Sequence, residues 1–393
     1  MDGLAPLVEV LARKKPKAWE LYLWQELRLQ FFWTGTQISR LSARTRAACS
    51  LREENSLLAV DGCGREHLAR LLGAKPRALP AWSWVGELTL PDPQVLALLL
   101  PGLPLQVGVT TSRIAVVRAD GAFAASRPVV VDARNQAGET FTWVFGDNPP
   151  NLEEAQSGSA APPGGGFRAL LHPQAAAVLC HELFGHPLEA DSFFARQSPW
   201  TGRMGTRITS VPLHVVDDPT LPLPGGFLRD DEGEAARPKP LVTAGVLTGV
   251  LADRSYGASW AAEPGNARRA SPHHPPMPRL SNLMAWVEGG EATPPLAEAR
   301  VEIVRVRSGL FVPAERSLLL AVSESYTLFR GKRKQKLAPF FLKLPLDASG
   351  PRILAGGSPS VTVAEPGWCG KNHQFLPVGA AASWLLLERV EAA

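Results

Sequence analysis

The spacing of apolar residues in the first part of the chain predicts helices and strands in turn. Apolar residues recur at helical intervals over Leu4–Leu11 and again over Arg65–Leu72. Aromatic and β-branched residues alternate with polar ones over Glu20–Trp24 and Glu26–Phe32, which predicts two strands. We therefore expect an N-terminal α+β domain over residues 1–85.

Strand patterns dominate the stretch that follows. Between Leu105 and Phe145, short apolar runs with strand character are separated by Asp-Gly and Asn or Gly turns, which predicts a β-meander. We assign residues 86–147 to a β-rich central section. Residues 148–166, NPPNLEEAQSGSAAPPGGG, offer almost nothing to bury, so we expect a flexible linker or loop there.

The second half of the chain has one helical pattern among many strand patterns. Phe167–Leu171 reads as a strand, and Gln174–Gly185 as an apolar helix. A final pair of strands, Leu318–Phe329 and Leu337–Lys343, is joined by a basic turn, RGKRKQK. The predicted fold class is α+β, with a mixed N-terminal α/β section and a mostly antiparallel β C-terminal domain over residues 167–393.

Composition excludes several classes of protein. The chain has 393 residues, of which 45% are hydrophobic and 20% charged. It can therefore bury a core, which rules out a small disulfide-stapled peptide and a predominantly disordered chain. A net charge of +4 over so large a surface argues against a nucleic-acid partner. No apolar run reaches the roughly 20 residues of a membrane span, so we expect no membrane partner.

The N-terminus and the cysteines indicate a compartment. The chain begins MDGLAPLVEVLARKK, with its charges after the apolar stretch, which is the reverse of a secretory signal. Four cysteines, Cys49, Cys63, Cys180 and Cys369, are too scattered to suggest a disulfide framework. We therefore expect a cytoplasmic protein whose cysteines are free thiols or metal ligands.

One short segment carries recognisable chemistry: HELFGH, from His181 to His186. Two neutral imidazoles can hold Zn²⁺, and the adjacent carboxylate of Glu182 can accept a proton from a metal-bound water. The spacing is HExxxH, and residues five apart on a regular helix point about 140° from each other. Because Gly185 and Pro187 can loosen or end a helix, we predict a π-bulge or a helix end at Gly185 that swings His186 back toward His181.

A zinc centre built on this helix needs a third protein ligand, and the residues leave alternatives open. Glu189 and Asp191 lie just downstream of the second histidine. A thiolate is the other candidate, and Cys369 stands out because the segment GWCGKNHQ places it in a glycine-containing loop that an ion could approach. Cys180, inside the apolar helix, is better explained as a core residue. The alternative to a metal centre is a helix end with buried, hydrogen-bonded histidines.

Five collinear motifs resemble the TldD/PmbA family, metalloproteases once called modulators of DNA gyrase. The stretch AAAVLCHELFGHPLEAD is similar to the family's zinc helix, and its two histidines indicate the TldD branch, because the PmbA (TldE) branch lacks them. The motifs that follow are TGRMGTRITSVPLHVVDD, LRDDEGEAARPKPLVTAGVLTGVLADR, GNARRASPHHPPMPRLSNL and PGWCGKNHQFLPVG. Together they cover much of residues 167–379.

This resemblance implies a site and an assembly. One zinc ion per chain would be held by His181, His186 and Cys369, and Glu182 would be the catalytic glutamate. Residues 167–393 would form a C-terminal zinc metalloprotease domain carrying a metal-binding helix. The family also implies a homodimer or a heterodimer with a PmbA/TldE-like paralogue.

The chain departs from the family pattern in places that affect substrate preference and pairing. Pro187 and Ala190 replace glycines that are usual after the second histidine, and the glycine-rich strand near Ser308–Arg316 is degraded. The proposed ligands are retained despite these changes.

The expected function is a zinc-dependent peptidase that hydrolyses peptides or unfolded polypeptide, with metal-activated water and Glu182 as general base. The alternative is a non-enzymatic, metal-stabilised modulator or scaffold that acts through a paralogous partner. Three evident ligands favour catalysis, because structural zinc sites are usually closed by four. The substrate-binding residues are unassigned, and the candidates for an oxyanion donor are Tyr256, His273, His274 and Arg279.

Overall fold

The computed structural model describes residues 4–14, 19–53, 56–75, 77, 88–118, 120–147, 149–150, 152, 158–346, 350–359 and 367–393. The predicted boundary between residues 85 and 86 and part of the predicted linker 148–166 lie outside these residues. The division of the chain into domains therefore stays a prediction. Within the described ranges, no helix combines the length and apolarity needed to cross a membrane.

The N-terminal part of the described chain forms a seven-stranded antiparallel sheet with the order β3-β2-β1-β4-β6-β7, in which β5 pairs with β4. Its strands are β1 (Trp19–Trp33), β2 (Ile38–Glu53), β3 (Ser56–Asp61), β4 (Leu105–Arg118), β5 (Gly121–Ser126), β6 (Val130–Arg134) and β7 (Thr140–Val144). The prediction of separate strands at Glu20–Trp24 and Glu26–Phe32 is wrong. Both lie in β1, because Gln25 between them is not a turn former and the alternation continues through it.

The two faces of this sheet have different surroundings. One face packs against α1 (Ala5–Lys14), α2 (Arg65–Leu71) and α3 (Pro93–Ala97), which confirms the two predicted N-terminal helices. Leu21, Leu23 and Leu29 of β1 are buried on that side. The opposite face carries Tyr22 and Trp24, which are buried, and then Arg28 and Gln30, which are exposed. Side chains alternate along a strand, so this second face is covered at one end and open at the other.

The rest of the described chain is again rich in strands, with three further α-helices. The helices are α4 (Pro173–Cys180), α5 (Ala190–Phe194) and α6 (Arg254–Trp260). The strands are β8 (Phe167–Leu171), β9 (Leu213–Asp217), β10 (Lys239–Thr243), β11 (Val246–Leu247), β12 (Ala267–Arg268), β13 (Met277–Pro278), β14 (Asn282–Val287), β15 (Val301–Val312), β16 (Ser317–Phe329), β17 (Lys332–Lys336), β18 (Phe340–Pro345), β19 (Ile353–Gly356), β20 (Gly367–Lys371), β21 (Gln374–Ala382) and β22 (Leu385–Ala392).

These strands build a six-stranded sheet and a small barrel. The sheet has the order β11-β10-β9-β14-β21-β20, and the barrel runs β15-β8-β22-β18-β16 and closes where β16 also pairs with β15. Only β14–β21 and β15–β8 are parallel among the described pairs, so the mostly antiparallel α+β prediction is confirmed. The basic segment predicted as a turn is instead largely strand β17, paired with β16, because the turn is confined to Arg330 and Gly331, whose φ angles are positive.

Helix α4 lies between the barrel and the six-stranded sheet, in contact with β14, β15 and β21. Ala175, Ala176 and Ala177 are buried, and such short side chains let the flanking strands approach the helix closely. Leu179 is fully buried, which contributes about 1.5–3 kcal/mol relative to an exposed side chain. Strand β8 and the helix that follows it are therefore where the sequence predicts them, and they carry the HELFGH segment into the core.

Buried charges join the N-terminal sheet to the C-terminal part. Glu20 of β1 accepts hydrogen bonds from Arg269 at 2.5 Å and from Arg52 at 2.9 Å. The hydroxyl of Tyr22 donates to Asp231 at 3.1 Å. The Arg269 side chain has no exposed surface. A buried guanidinium requires such partners, so these pairs fix how the sheet sits on the C-terminal part.

Candidate metal centre

The helix that carries the two histidines changes its winding at the first of them. Helix α4 ends at Cys180, and a π-helix spans His181–Gly185. The backbone N–H of His186 donates to the carbonyl of His181, five residues earlier. Such a wide turn brings residues five apart onto the same side of the helix, so the predicted π-bulge is confirmed.

Packing around the π-helix favours this wider turn. A Cβ atom on Gly185 would lie 2.6 Å from Leu280 Cδ1, so only glycine fits without a shift of that side chain. The Trp200 indole donates to the carbonyl of Leu183 at 2.6 Å, and its ring stacks on Phe184 with centroids 5.6 Å apart. This hydrogen bond from Trp200 satisfies the carbonyl of Leu183, which the altered winding leaves available.

The structure brings the three predicted ligand residues together. Nε2 of His181 lies 3.2 Å from Nε2 of His186, and Sγ of Cys369 lies 3.0 Å from the same atom of His186. The three donor atoms all lie within 4.8 Å of one another. The prediction that Cys369 lies in a loop is wrong: it is in the middle of β20, paired with Leu376 of β21, because the turn of this hairpin falls at Asn372 and His373.

Glu189 orients His186 by contacting Nδ1, the ring nitrogen that does not face the candidate centre. Its Oε2 lies 3.2 Å from Nδ1 of His186 and accepts a hydrogen bond from Lys371 Nζ at 2.7 Å. Its Oε1 accepts from the backbone N–H of Leu280 at 3.0 Å and lies 3.6 Å from Nε of Arg279. Because the carboxylate occupies Nδ1, Nε2 of His186 is directed at the candidate centre.

The two acidic candidates for the third ligand both contact a lysine. Lys371 donates to Glu189 and, at 2.6 Å, to Asp191. Among the described residues, the cluster able to hold a metal comprises His181, His186 and Cys369 and neither carboxylate. Glu189 and Asp191 therefore lie outside this cluster of three donor atoms.

Glu182 lies against a glycine of the barrel. A Cβ atom on Gly309 of β15 would come within 2.5 Å of Glu182 Cγ. Burial raises the pKa of Glu182, and the neighbouring His181 and His186 partly oppose that shift. A raised pKa makes this carboxylate a better proton acceptor than an exposed glutamate.

The surroundings of the Cys369 sulfur favour the thiolate form. Burial raises the pKa of the Cys369 thiol, but hydrogen bonds from His181 and His186 and the charges of these rings overcome that effect and lower the pKa to about 5. Cys180, by contrast, is buried in α4 without such partners, and burial raises its pKa to about 12. Of these two cysteines, the one that converges on the histidines is therefore the one in the form that binds metal.

The four open candidates for an oxyanion donor serve other contacts. Arg279 is fully buried and donates to the carbonyl of Cys369 at 2.6 Å, so it supports β20. His273 contacts Asp61, and His274 contacts Ser271. Tyr256 is partly buried and stacks on Phe194. The geometry assigns the role to none of them.

Lys371 is the supporting residue that sequence reasoning missed. A signal for it existed, because residues 369 and 371 of one strand point to the same side. Reading GWCGK as a loop hid that periodicity. The contacts that hold Glu189 had no comparable signal in the sequence, because its partner Leu280 is 91 residues away along the chain.

Part of the chain is similar in sequence to known metallopeptidases. Residues 164–318 match the family model described as PmbA/TldA metallopeptidase C-terminal domain. A "Metalloprotease" of Archaeoglobus fulgidus is 31% identical over 221 residues, 56% of this chain and 51% of that protein. A "Metalloprotease TldD homolog" of Haemophilus influenzae is 32% identical over 234 residues, 54% of this chain and 45% of that protein. The chain thus spans about half the length of the curated relatives it matches.

Solved structures share the fold over the whole chain. TldE from Thermococcus kodakarensis has a TM-score of 0.67 at 12% identity, and the match covers 100% of both chains. A putative modulator of a DNA gyrase from Thermotoga maritima has a TM-score of 0.67 at 15% identity, again with 100% of both chains covered. At such low identity these matches show the fold alone. With the sequence matches, they confirm the resemblance that the motifs indicated.

Proposed function

We propose that this chain, a member of the TldD/PmbA family, is a cytoplasmic zinc-dependent peptidase that hydrolyses peptides or unfolded polypeptide. The observation that carries the proposal is the convergence of two imidazole nitrogens and one cysteine sulfur near the half-buried carboxylate of Glu182. Its relatives are named metalloproteases, which supports a metal-dependent activity at this site.

The donor set suits one zinc ion per chain. Ligand atoms of tetrahedral zinc lie about 3.4 to 3.6 Å apart, because Zn–N and Zn–S bonds are about 2.0 to 2.3 Å long. The separations of 3.2 Å and 3.0 Å around His186 Nε2 are close to that requirement. His181, His186 and Cys369 would hold the ion, and three protein ligands are the number typical of catalytic zinc.

Bound there, zinc would supply a Lewis acid that polarises a peptide carbonyl and makes water acidic enough to ionise near neutral pH. Glu182 accepts a proton from the attacking water and then delivers it to the leaving amine, so protons balance over one hydrolysis. Its raised pKa suits both roles. Glu189 and Lys371 hold His186 in place while this happens.

Glu182→Gln tests this function. We expect the variant to keep its zinc while hydrolysis of a peptide library falls by about 10² to 10⁴-fold, because the general base is gone and the ligands are intact. Zinc content by elemental analysis and product formation by mass spectrometry are the two readouts.

Cys369→Ala is the matched variant, for which we expect loss of zinc as well as activity. Hydrolysis at the wild-type rate by Glu182→Gln would remove Glu182 from the mechanism. A zinc-loaded wild-type protein that cleaves no peptide, alone or with a paralogue, would instead favour a non-enzymatic modulator or scaffold.

We propose in addition that the chain works as a dimer, with itself or with a TldE-like paralogue. One of its structural neighbours is a TldE, which is the kind of partner that this proposal names. The mass of the purified protein by light scattering, with and without a co-expressed paralogue, tests it. A strictly monomeric, fully active chain would contradict it.

A further inference from the structure

The open end of the N-terminal sheet forms a cleft lined by arginines. This arginine cleft has a volume of about 400 Å³, and its basic residues are Arg28 of β1, Arg40 of β2 and Arg134 of β6. It lies on the face of the sheet that the helices do not cover. The polar residues that complete its lining are Gln30, Gln106, Asp132 and Thr140.

The strand register explains how these side chains come to share one face. Phe32, Gln106, Arg134 and Thr140 are successive cross-strand partners on β1, β4, β6 and β7. Gly108 of β4 forms part of the floor, and Arg28 Nη2 lies 3.9 Å from the place where a Cβ on this glycine would be. The glycine therefore keeps the floor low beneath the guanidinium group.

The positive charges of the cleft are only partly compensated by the protein: the charge of Arg28 acts on the carboxyl groups of Glu26 and Asp132 and opposes the rise in pKa that burial causes there. Arg28, Arg40 and Arg134 are exposed, and within the described parts of the chain no hydrogen bond or ion pair is formed by their guanidinium groups. Carboxylates nearby are Glu26 and Asp132, and Asp132 already accepts hydrogen bonds from Thr142 and Trp368. Unpaired guanidinium groups set in a concave polar surface favour carboxylate ligands, which they can bind in a bidentate manner.

The arginine cleft abuts the strand that carries the candidate sulfur ligand. The Trp368 indole donates to Asp132, in the lining of the cleft, at 2.6 Å. The next residue of β20 is Cys369, whose side chain points to the opposite side, toward His186. An extended polypeptide that passes over the edge of β20 could therefore contact both places.

From this geometry we infer that the arginine cleft binds an acidic segment of the polypeptide substrate, and that the peptidase prefers substrates with glutamate or aspartate to one side of the cleaved bond. The inference rests on the proposed peptidase function. A nucleic acid fits less well, because the carboxylate of Asp132 interrupts the basic surface and would repel a phosphate backbone.

A pair of labelled peptides tests the inference. One carries glutamates to one side of a common central sequence, and its matched copy carries glutamines at the same positions. We expect the wild-type protein, followed by fluorescence anisotropy, to bind the acidic peptide about tenfold more tightly at low salt, since two or three exposed pairs contribute modestly each. The preference should shrink at high salt, because exposed charges are screened.

The double variant Arg28→Gln/Arg134→Gln should bring the two affinities within about twofold of each other. Its control is Arg65→Gln/Arg70→Gln, which removes the same charge from two exposed residues of α2 on the other side of the sheet and should keep the preference. Circular dichroism checks that both variants fold, and the comparison of two peptides on the wild-type protein needs no variant at all.

Three outcomes would overturn the inference. Equal binding of the two peptides by the wild-type protein would do so and leave the peptidase proposal intact. So would a preference that survives Arg28→Gln/Arg134→Gln, because the arginines would then contribute nothing to the recognition of the acidic peptide. A single-stranded oligonucleotide that displaces the acidic peptide from the wild type, binds more tightly and loses that binding in the variant would assign the cleft to nucleic acid.

Measuring the hydrolysis of both peptides separates a failure of this inference from a failure of the proposed peptidase function. A preference in kcat/KM for the acidic peptide that parallels the binding preference supports both. Selective binding of the acidic peptide without cleavage of either peptide by the zinc-loaded protein would support the cleft and overturn the peptidase function.

Discussion

Glu189 shows how much a single buried side chain contributes to the candidate centre. It is fully buried, and it contacts an imidazole, an ammonium group and a backbone N–H, with a guanidinium group 3.6 Å away. Burial would raise its pKa, but the charges of His186, Lys371 and Arg279 keep that pKa well below its usual range. The carboxylate therefore stays ionised and able to hold the histidine ring.

We predict that Glu189→Gln weakens zinc binding by about 10- to 100-fold, because the ring of His186 loses its charged hydrogen-bond acceptor. A competition titration against a zinc-sensitive dye measures the affinity. The control is Glu288→Gln, which removes a carboxylate 3.1 Å from His214 at an exposed position and should leave zinc affinity unchanged. Equal zinc affinities of the wild-type protein and Glu189→Gln would show that Glu189 does not support His186 as a zinc ligand.

A second carboxylate links stability to pH. Glu302 of β15 bonds to His172 and, through two hydrogen bonds, to Arg333, and these partners overcome burial and lower its pKa to about 2. Its pKa in the unfolded chain is about 4.3. Because the folded pKa is the lower one, the stabilisation is present above about pH 4.3 and is lost as the pH falls toward 2.

We therefore expect Glu302→Gln to be less stable than wild type near neutral pH, and the difference to shrink between about pH 4.3 and pH 2. Urea unfolding of both proteins at several pH values measures it. A difference that stays constant over this range would mean that the ion pairs contribute nothing that titrates.

At the level of elements, the centre depends on where a barrel strand meets the π-helix. Gly309 of β15 leaves space for Glu182, and Gly185 lets the π-helix approach Leu280. Neither glycine has a positive φ angle, so what each supplies is space. The orientation of the proposed base is therefore set by the missing side chain of a strand 127 positions further along the chain.

We predict that Gly309→Ala lowers kcat by about 10- to 100-fold and leaves the zinc content unchanged, because the added methyl group displaces Glu182 but contacts no ligand. Gly367→Ala is its control: this glycine also lies on a strand of the centre, two residues from Cys369, but a Cβ there would meet nothing within 4 Å. Similar kcat values for the two variants would contradict the proposed positioning of Glu182.

Much of this region could be predicted from the sequence, for physical reasons that differ between elements. Two histidines with HExxxH spacing cannot converge on a regular helix, which is why the spacing, with Gly185 and Pro187, predicts a π-bulge or a helix end; the structure has the π-helix. The continuity of β1 was missed because local alternation does not reveal strand length. Glycines on both sides of Cys369 suggested a loop, whereas cross-strand pairing with β21 imposes a strand.

At the scale of the whole molecule, the two parts of the chain are held by buried ion pairs as well as by apolar contact. Glu20 lies between Arg52 and Arg269, and Arg52 also contacts Glu232 of the C-terminal part. Removing one member of such a cluster leaves buried charges without a partner. The arrangement therefore couples the position of the arginine cleft to the C-terminal part that carries the metal centre.

We predict that Glu20→Gln lowers the free energy of unfolding by about 3 kcal/mol, because Arg269 stays buried with its carboxylate removed. Chemical denaturation followed by tryptophan fluorescence measures the change. Asp120→Asn, which removes an exposed partner of Arg118, should cost no more than about 1 kcal/mol. If both substitutions had the same effect, the buried cluster would not hold the two parts together.

Cys369 follows His186 by 183 residues, and its strand β20 is held in the six-stranded sheet by β21, which in turn pairs with β14. During translation, the two imidazoles leave the ribosome long before the sulfur does. A nascent chain, or one truncated before β20, carries an incomplete ligand set and binds zinc weakly at most. The proposed peptidase would thus stay inactive until β20 has been synthesised, which would protect the growing polypeptide from the proposed catalytic centre.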